Sequence, residues 1–169
     1  TDGTPFSYTS PLYDGTDLGK NRDPRLRYTL LWDQTTFKGK KYVCHPDSTK
    51  SLDQLGAGKQ TTYSGFGLRK FFDESYSGSL YYYGANMNVV RYSEVLLSYI
   101  EAVLEAGQPI NQALLDETIN KVRGRATVSM PAVTETNPEL LRPVLRRERR
   151  VELALEGLRY WDLLRWGTA

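Results

Sequence analysis

Apolar residues recur at helical spacing between residues 92 and 104, and this stripe is the strongest constraint on the fold. A period near 3.6 residues predicts an amphipathic helix whose apolar face must pack against another element. Gly107 follows the stripe, and a glycine at this place is typical of a helix C-terminus. The members of the stripe are Tyr92, Val95, Leu96, Tyr99, Ile100, Val103 and Leu104.

A second helix is predicted to begin near Asn111, whose side chain can cap the first turn. A polar loop over residues 127–137 separates this helix from the next one. The apolar face of the second helix comprises Leu114, Leu115, Ile119, Val122 and Ala126.

The third predicted helix begins at Asn137, which can cap it and which precedes a proline suited to the first turn. Pro143 lies inside this helix, so we expect the helix either to start late or to kink there. The helix is expected to run to Glu156, and Gly157 then separates it from a final helix over residues 158–166.

These four helices form two helix–turn–helix pairs whose first helices start near residues 92 and 139. Without the intervening loop the spacing is about 36 residues, close to the ~34 of a tetratricopeptide repeat. Because a solenoid needs about three repeats to be stable, two pairs predict that further helices lie outside this sequence.

Residues 1–86 have a different composition, with 10 of the 14 glycines and 15 of the 20 aromatic residues. This half contains few aliphatic residues that could build a core of its own. It is therefore expected to pack on the helices as loops and short strands. Residues 28–32 and 41–43 are predicted strands, paired through a turn at Gly39. The chain is therefore expected to be mainly α, with helical pairs over residues 87–169.

The overall charge and the cysteine count exclude several classes of function. A net charge of +2 creates no field that demands an anionic partner, and Cys44, the single cysteine, excludes an intrachain disulfide. No apolar run reaches the ~18 residues of a membrane span, and residues 1–5 lack the features of a signal peptide. Either the protein is cytosolic, or its natural N-terminus lies upstream.

Residues 146–150 contain four arginines, which raises the hypothesis of a phosphate-binding patch. Glu148 interrupts the run, and Glu152 and Glu156 continue a row of acids at four-residue spacing, which is typical of a solvated or internally paired helix face. Aromatic residues are not interleaved with these arginines, as a single-strand binder would require. We therefore expect no nucleic-acid partner.

The acids and histidine offer no metal or catalytic motif. Di-metal helical bundles need a histidine three residues after a glutamate, whereas His45, the only histidine, lies in the loop-rich half. A pair of carboxylates of the glycosidase kind stays open, although neighbouring arginines would lower their pKa values and disfavour proton donation. Gly65 and Gly67 form only half of a dinucleotide-binding fingerprint and are interpreted as a turn.

Large aromatic side chains crowd the loops of the first half. Tyrosine combines a flat apolar face with a hydroxyl, which suits sugars, peptides and protein partners alike. The alternative is that the rings only pack the loops onto the helices. These residues are Tyr8, Tyr13, Trp32, Tyr63, Tyr76, Tyr81, Tyr82 and Tyr83.

Six segments carry a further pattern, and the last of them, residues 147–166, is the most recognisable. The other segments are residues 2–6, 21–26, 65–71, 88–102 and 119–126. Together, and in this order, they resemble the SusD/RagB family, the surface glycan-binding lipoproteins of Bacteroidota nutrient-uptake systems. The structural signature comprises Arg91, Glu94, Arg123, Arg125, Glu148, Arg149, Glu152, Glu156, Gly157, Arg159, Asp162 and Trp166.

The resemblance implies a SusD-like fold built on tetratricopeptide-like helix pairs, with a loop-rich, short-strand ligand face. It implies no catalysis and no cofactor, but capture of oligosaccharide at the cell surface and transfer to a SusC-like TonB-dependent outer-membrane transporter. Family members are longer and carry an N-terminal lipid anchor, which this sequence does not include. Residues 1–169 are therefore expected to be the C-terminal part of a single SusD-like domain. Ser93 and Pro143 depart from the family pattern.

The family's binding residues lie in variable loops, so we predict the ligand contacts only from aromatic type and loop location. Sugar rings stack on aromatic faces, while their hydroxyls need fixed polar partners. The predicted contacts are Tyr8, Tyr13, Trp32 and Tyr76 for stacking, with Asn21 and Arg25 as polar partners. Two alternatives stay open: a helical-repeat subunit that binds only protein, and a glycoside hydrolase.

The charged residues of the signature are interpreted as scaffold. We expect its acids and arginines to form ion pairs within and between helices, because oppositely charged residues three or four apart share a helix face. Arg159, Asp162 and Arg165 are expected to be adjacent on one such face.

Overall fold

The computed structural model describes residues 3–56, 62–86 and 88–169, without the side chain of Leu80. Asp2, the first residue of the segments that carry the resemblance, lies outside the described residues. The described residues divide into two compact units. The helical unit comprises the described parts of residues 1–25 and 88–169, and the loop unit comprises those of residues 26–87.

The regular secondary structure of the described residues is mostly helical, with a few two-residue strands and one short 3₁₀ helix at Leu80–Tyr82. The helices are α1 (Arg25–Thr29), α2 (Tyr92–Glu105), α3 (Gln112–Glu117), α4 (Ile119–Arg123), α5 (Pro138–Glu152) and α6 (Leu158–Arg165). The strands are β1 (Leu30–Leu31), β2 (Thr36–Phe37), β3 (Lys40–Lys41) and β4 (Gly67–Leu68).

The core of the helical unit lies where α2, α3, α4 and α5 pack together. Only one side of the predicted stripe on α2 contributes to this core, since Tyr92, Val95 and Tyr99 remain exposed. The described helices cover one side of α2 and leave the other side open. The buried residues of this core are Leu97, Ile100, Leu104, Leu115, Ile119, Val122, Val133, Leu141 and Leu145.

The second predicted helix is interrupted. Asn111 caps its start as expected, since its side-chain oxygen accepts a hydrogen bond from the Leu114 N–H at 2.9 Å. At Thr118 the backbone leaves the helical region (φ −120°, ψ −97°), which divides the helix into α3 and α4. The Thr118 hydroxyl donates to the Leu114 carbonyl, and such a local side-chain bond competes with the regular backbone ladder.

Helix α5 begins where it was predicted but ends four residues early. Asn137 accepts a hydrogen bond from the Glu139 N–H at 2.9 Å, and Pro143 does not delay the start. The helix ends at Glu152, because the Glu152 carbonyl oxygen accepts a hydrogen bond from the Arg91 guanidinium at 2.7 Å. Positive φ angles at residues 155 (+66°) and 157 (+78°) then turn the chain into α6.

The loop unit contains two small antiparallel pairs, β1 with β4 and β2 with β3. The predicted turn at Gly39 (φ +74°) is present, but it joins β2 to β3. The prediction of a strand beginning at Tyr28 is wrong, because this residue belongs to α1. Gly67 lies in β4, where a Cβ atom would approach the Tyr42 ring to 3.3 Å and the Leu31 Cβ atom to 3.4 Å. This close crossing explains the glycine.

The adjacent residues Leu140 and Leu141 test the position of the core. Leu141 is 0% exposed and Leu140 is 57% exposed. We expect Leu141→Ala to lower the free energy of unfolding by about 3 kcal/mol, because it removes buried methyl groups and leaves a cavity. Leu140→Ala is the control and should cost less than about 1 kcal/mol. Urea unfolding followed by circular dichroism measures both, and equal costs would contradict the packing described here.

Candidate functional site

A cavity of about 470 Å³ lies within the helical unit. One wall is the N-terminal segment, and the other is the side of α5 that carries Arg147, Glu148, Arg150 and Val151. The size falls in the range of small-molecule sites, and the mixture of apolar and polar lining groups is typical of them. The remaining lining residues are Gly3, Thr4, Pro5, Phe6, Ser7, Ser10, Leu12, Tyr13, Asn21, Arg22, Asp23, Arg25, Arg123 and Met130.

Three aromatic rings form a cluster beside this cavity, which we call the aromatic platform: Phe6, Tyr8 and Tyr13. The ring centroids lie 4.7 Å apart for Phe6 and Tyr8, and 5.4 Å apart for Tyr8 and Tyr13, in edge-to-face geometry. The guanidinium carbon of Arg22 lies 3.9 Å from the centroid of the Phe6 ring. All three rings are exposed, Tyr8 to 75%, so the platform presents aromatic faces and edges to solvent.

Short-range hydrogen bonds shape the loop that carries the platform. The Tyr13 N–H donates to the Ser10 carbonyl at 3.0 Å. Asn21 adopts a positive φ of 56°, which asparagine tolerates, and its side-chain amide donates to the Leu12 carbonyl at 3.1 Å. Lys20 binds Asp14 at 2.8 Å. Hydrogen bonds from Lys20 and Thr16 hold the pKa of the Asp14 carboxyl well below its usual range.

The cavity floor is a set of buried ion pairs around Glu148. Arg123 donates to the Glu148 carboxylate at 2.6 Å, and Arg25 binds the same carboxylate from the other side. Arg25 also binds Asp23 at 2.6 Å and Glu152 at 2.9 Å. Burial alone would lower the pKa of Arg25, but the hydrogen bonds from its guanidinium to Asp23 and Glu148 raise it above its ordinary value. Arg25 therefore stays charged and paired within the floor.

Glu152 lies one turn further along α5 and forms ion pairs with arginines from other segments. Its carboxylate accepts from Arg91 at 2.6 Å and from Arg125 at 2.7 Å, besides Arg25. Arg91 also binds Glu156 at 2.7 Å. Burial alone would raise the pKa of Glu152, but hydrogen bonds from Arg25 and Arg91 outweigh this effect and lower the pKa to about 2.

The contacts of Ser93 explain why this residue departs from the family pattern. Its hydroxyl oxygen accepts hydrogen bonds from Arg91 at 2.9 Å and from Arg125 at 3.4 Å. The residue is buried and lies in the first turn of α2. The Ser93 hydroxyl therefore adds a hydrogen-bond acceptor to the arginine cluster.

A second group of ion pairs joins α2, α5 and α6. Asp162 accepts from Arg149 at 3.0 Å and from Arg165 at 2.7 Å. Glu101 accepts from Arg165 at 2.6 Å and from the indole N–H of Trp166 at 2.6 Å. Hydrogen bonds to Glu101 and Asp162 raise the pKa of Arg165. Four acids of the signature, Glu148, Glu152, Glu156 and Asp162, thus pair with arginines of other segments.

Three signature residues have other roles. Glu94 lies in the first turn of α2, where the helix dipole favours an acid. Gly157 is the left-handed residue before α6. Arg159 is exposed, and its guanidinium lies 5.6 Å from the centroid of the Trp166 ring. Of the face expected at residues 159, 162 and 165, the structure shows the 162–165 pair.

The structure brings together three of the six predicted ligand contacts. Tyr13 and Asn21 line the cavity, and the Tyr8 ring packs on Tyr13. Arg25 lies in the cavity floor but is buried and bound to three carboxylates. Its guanidinium is therefore committed to the scaffold.

The two remaining predicted contacts lie in the loop unit. Trp32 is only 7% exposed, and its ring lies 5.5 Å from the guanidinium of Arg27, so it offers no face for stacking. Tyr76 is half-buried against Tyr83, with ring centroids 5.1 Å apart. A Cβ atom at position 78 would lie 2.3 Å from the Tyr76 hydroxyl oxygen, so a larger residue than Gly78 would displace the Tyr76 ring.

Sequence reasoning did not single out Phe6, Arg22, Arg147 and Arg150, which line the cavity, as ligand contacts. The arginines of α5 were interpreted only as a paired helix face. Their three-residue spacing puts Arg147 and Arg150 on one side of the helix, which was a usable signal. For Phe6 and Arg22 the sequence held none, since the contact between them depends on how the loop folds.

The described residues hold neither a metal-binding cluster nor a helix that could span a membrane. Within residues 3–56, 62–86 and 88–169, no three histidine, cysteine, aspartate or glutamate side chains are grouped as they would be to hold a metal ion. None of the helices in the same ranges is both long enough and apolar enough to cross a membrane.

The helix pairs, the arginine–carboxylate scaffold and the loop-built cavity define a mainly α protein of tetratricopeptide-like architecture. A model of the SusD family matches residues 1–169, so the chain belongs to the SusD family. The expected SusD-like fold is thereby confirmed.

Solved structures and curated proteins agree with this assignment. A SusD-like carbohydrate-binding protein of Bacteroides fragilis is 49% identical, with a TM-score of 0.89 over 98% of this chain and 33% of that one. Another SusD-like protein of Bacteroides fragilis is 28% identical, with a TM-score of 0.69 over 89% of this chain and 29% of that one. A SusD-like protein of Formosa agariphila is 35% identical over 88 residues, 50% of this chain and 18% of that protein. The chain thus spans a third or less of these relatives.

Glu152→Ala tests the scaffold. We expect it to lower the free energy of unfolding by about 3 kcal/mol, because it removes the buried carboxylate that Arg25, Arg91 and Arg125 share. Glu139→Ala is the matched control, since the Glu139 side chain is 83% exposed and lies 3.4 Å from Arg142; it should cost less than about 1 kcal/mol. Urea unfolding at neutral pH measures both. Unchanged stability of the Glu152 variant would show that the pairs contribute nothing.

The lowered pKa of Glu152 predicts how stability depends on pH. Between about pH 4.5 and pH 2 the unfolded chain binds a proton that the folded chain does not, so stability falls as the pH falls through this window. Glu152→Gln removes this contribution, and its stability should fall less steeply, by up to ~1.4 kcal/mol per pH unit. Unfolding curves at several pH values measure the slopes. Glu139→Gln should keep the slope of the unmodified protein; a shared slope for all three proteins would contradict the assignment.

Proposed function

We propose that the chain is part of a non-catalytic protein that binds oligosaccharide, with the aromatic platform and the adjoining cavity as the contact surface. The observation that carries this proposal is the exposure of three mutually packed rings beside a cavity lined by polar groups. Membership of the SusD family supports it, as does the likeness to a structure described as a SusD-like carbohydrate-binding protein.

The platform and the cavity offer the two kinds of contact that a sugar needs. The C–H faces of a sugar ring are apolar and stack on aromatic side chains such as Tyr8 and Tyr13. Hydroxyl groups need donors and acceptors held in place, and Asn21 and Ser10 supply amide and hydroxyl groups along the cavity wall. Packing against each other fixes the rings, which reduces the entropy lost on binding.

Tyr76 is proposed as an additional contact, in the loop unit. Its ring is half-buried against Tyr83, and the Lys38 ammonium lies 5.5 Å from the ring centroid. The exposed part of the ring and a neighbouring cation form a smaller surface of the same chemical kind as the aromatic platform. Trp32 and Arg25 are assigned to holding their own units together.

The acids of the cavity support a role in binding without catalysis. Glu148 is bound by two arginines, and Asp23 is bound by Arg25. Burial alone would raise the pKa of Asp23, but hydrogen bonds and charge from Arg25 outweigh it and lower the pKa. A general acid for glycoside hydrolysis needs a raised pKa, and the lowered pKa of Asp23 works against proton donation.

Delivery and location complete the proposal. The protein is placed at the outer membrane on the cell surface, held by an N-terminal lipid, and hands its ligand to a SusC-like TonB-dependent transporter. Family membership supports this part. Co-purification of the full natural chain with such a transporter from detergent-solubilised outer membranes tests it, and absence of the protein from that fraction would contradict it.

A second candidate function is a helical-repeat subunit that binds only protein. It is favoured by exposed apolar side chains on two helices: Tyr92, Val95 and Tyr99 on α2, with Tyr160 and Trp161 on α6. Contiguous exposed apolar residues are typical of interaction surfaces. This candidate predicts partner binding that survives changes in the aromatic platform and no affinity for sugars.

The double variant Tyr8→Ala/Tyr13→Ala tests the platform. We expect its affinity for a bound oligosaccharide to fall by about tenfold, because both stacking faces are lost. Calorimetric titration of the full natural chain with a panel of neutral and acidic oligosaccharides measures this. Tyr99→Ala is the control, since Tyr99 is 58% exposed on α2 and does not line the cavity. Equal affinities of the two variants would contradict the proposed surface, and silence across the panel would contradict sugar binding.

A further inference from the structure

We propose that the cavity selects acidic oligosaccharides, in which a carboxylate or sulfate on a sugar ring binds a cluster of arginines at the cavity wall. This inference rests on the proposed function and specifies the chemical class of its ligand. The arginines concerned are Arg22, Arg147 and Arg150, which we call the basic rim.

The charges along the cavity do not balance. Among the described lining residues the acids are Asp23 and Glu148. Five arginines face them, which leaves a surplus of three positive charges. The net charge of the whole chain is only +2, so the cavity carries a local excess that the average composition hides. A concave site with an excess of one sign of charge attracts ligands of the opposite sign. The lining arginines are Arg22, Arg25, Arg123, Arg147 and Arg150.

The existing ion pairs show which arginines supply the surplus. Arg25 and Arg123 are buried and bind the two acids of the cavity. The basic rim has no such pairs within the part of the chain that the structure describes. Arg147 donates only to the Gly3 carbonyl, at 3.4 Å, and Arg22 lies over the Phe6 ring. Arg150 is exposed and has no hydrogen-bond or ion-pair partner among the same residues. Their charges are available to a ligand.

The positions of the rim arginines suit a charged sugar. Arg147 and Arg150 are three residues apart on α5, so their side chains leave the same side of the helix. Arg22 connects this cationic surface to the aromatic platform, because its guanidinium lies on the Phe6 ring. A ring that stacks on Tyr13 can therefore direct an anionic substituent towards guanidinium groups. Guanidinium binds the oxygens of carboxylate and sulfate in a bidentate manner.

Neutral sugars alone do not account for this lining. Hydroxyl groups are bound well by uncharged amides and hydroxyls, and unpaired guanidinium groups close together repel one another. An anionic ligand removes that repulsion and forms charge-assisted hydrogen bonds, which are stronger than neutral ones. A preference for acidic over neutral ligands follows from the difference.

Matched ligands test the proposal without changing the protein. Trigalacturonate and its methyl ester share one backbone and differ in charge; a sulfated galactan oligosaccharide and its desulfated form do the same for sulfate. With the full natural chain we expect the acidic member of at least one pair to bind about tenfold more tightly, by calorimetry. The pair that shows the preference identifies carboxylate or sulfate as the ligand group. Raising the salt concentration should weaken only the acidic member.

A pair of double variants locates the effect. Arg147→Gln/Arg150→Gln should lose about tenfold in affinity for the preferred acidic ligand and little for its neutral counterpart. Arg142→Gln/Arg159→Gln removes the same total charge outside the cavity lining and should change both affinities by less than about twofold. Thermal unfolding of each variant confirms that the helical unit remains folded. Since Arg150 is exposed, Arg150→Gln alone provides a variant with the least structural cost.

The outcomes separate this inference from the proposed function. Equal affinities for the charged and neutral members of both pairs, or equal losses in the two double variants, would overturn the preference while sugar binding stands. If Tyr8→Ala/Tyr13→Ala loses binding and the charged and neutral ligands bind equally, the preference for acidic ligands is again overturned while sugar binding stands. Silence towards every acidic and neutral oligosaccharide would overturn both. Acidic ligands that depend on the basic rim but not on Tyr8 and Tyr13 would support the inference and remove the platform from the proposed function.

Discussion

The helical unit depends on two buried carboxylates, Glu148 and Glu152, that lie one turn apart on α5. Arginines from separate segments bind them: Arg25 from the N-terminal segment, Arg91 from the start of α2, and Arg123 and Arg125 from the end of α4 and the residues after it. A buried carboxylate without such partners would cost several kcal/mol. Each segment is therefore held at the position where its guanidinium meets the acids.

This arrangement also positions the candidate site. Arg25 fixes the end of the N-terminal segment against α5, so the preceding loop with Tyr13 and Asn21 forms a wall of the cavity. The opposite wall is the same helix, at Arg147, Arg150 and Val151 beside its buried acid. The charges of α5 are thus divided: Glu148 and its partners form the floor, while Arg147 and Arg150 face the cavity.

How far the sequence predicts the structure depends on how far apart the interacting residues are. The caps at Asn111 and Asn137 were predicted correctly, because a cap involves residues two or three positions away. The sequence predicted that α5 would end at Glu156, whereas it ends at Glu152. The residue that donates a hydrogen bond to the Glu152 carbonyl, Arg91, lies 61 positions earlier. Which side of α2 is buried was likewise decided by helices that contact it from elsewhere in the chain.

The sequence by itself determined the family, the helix pairs and the fact that acids and arginines would pair, since all three follow from residue order and helical spacing. Only the tertiary structure decided which aromatic and charged residues are left for a ligand. Tyr8, Tyr13 and Asn21 lie together at one cavity, whereas Trp32 is buried in the other unit. Arg25 forms ion pairs with residues up to 127 positions away. A side chain can contact a ligand only if residues distant in the sequence do not already bind or bury it. Such long-range contacts leave no local pattern in the sequence.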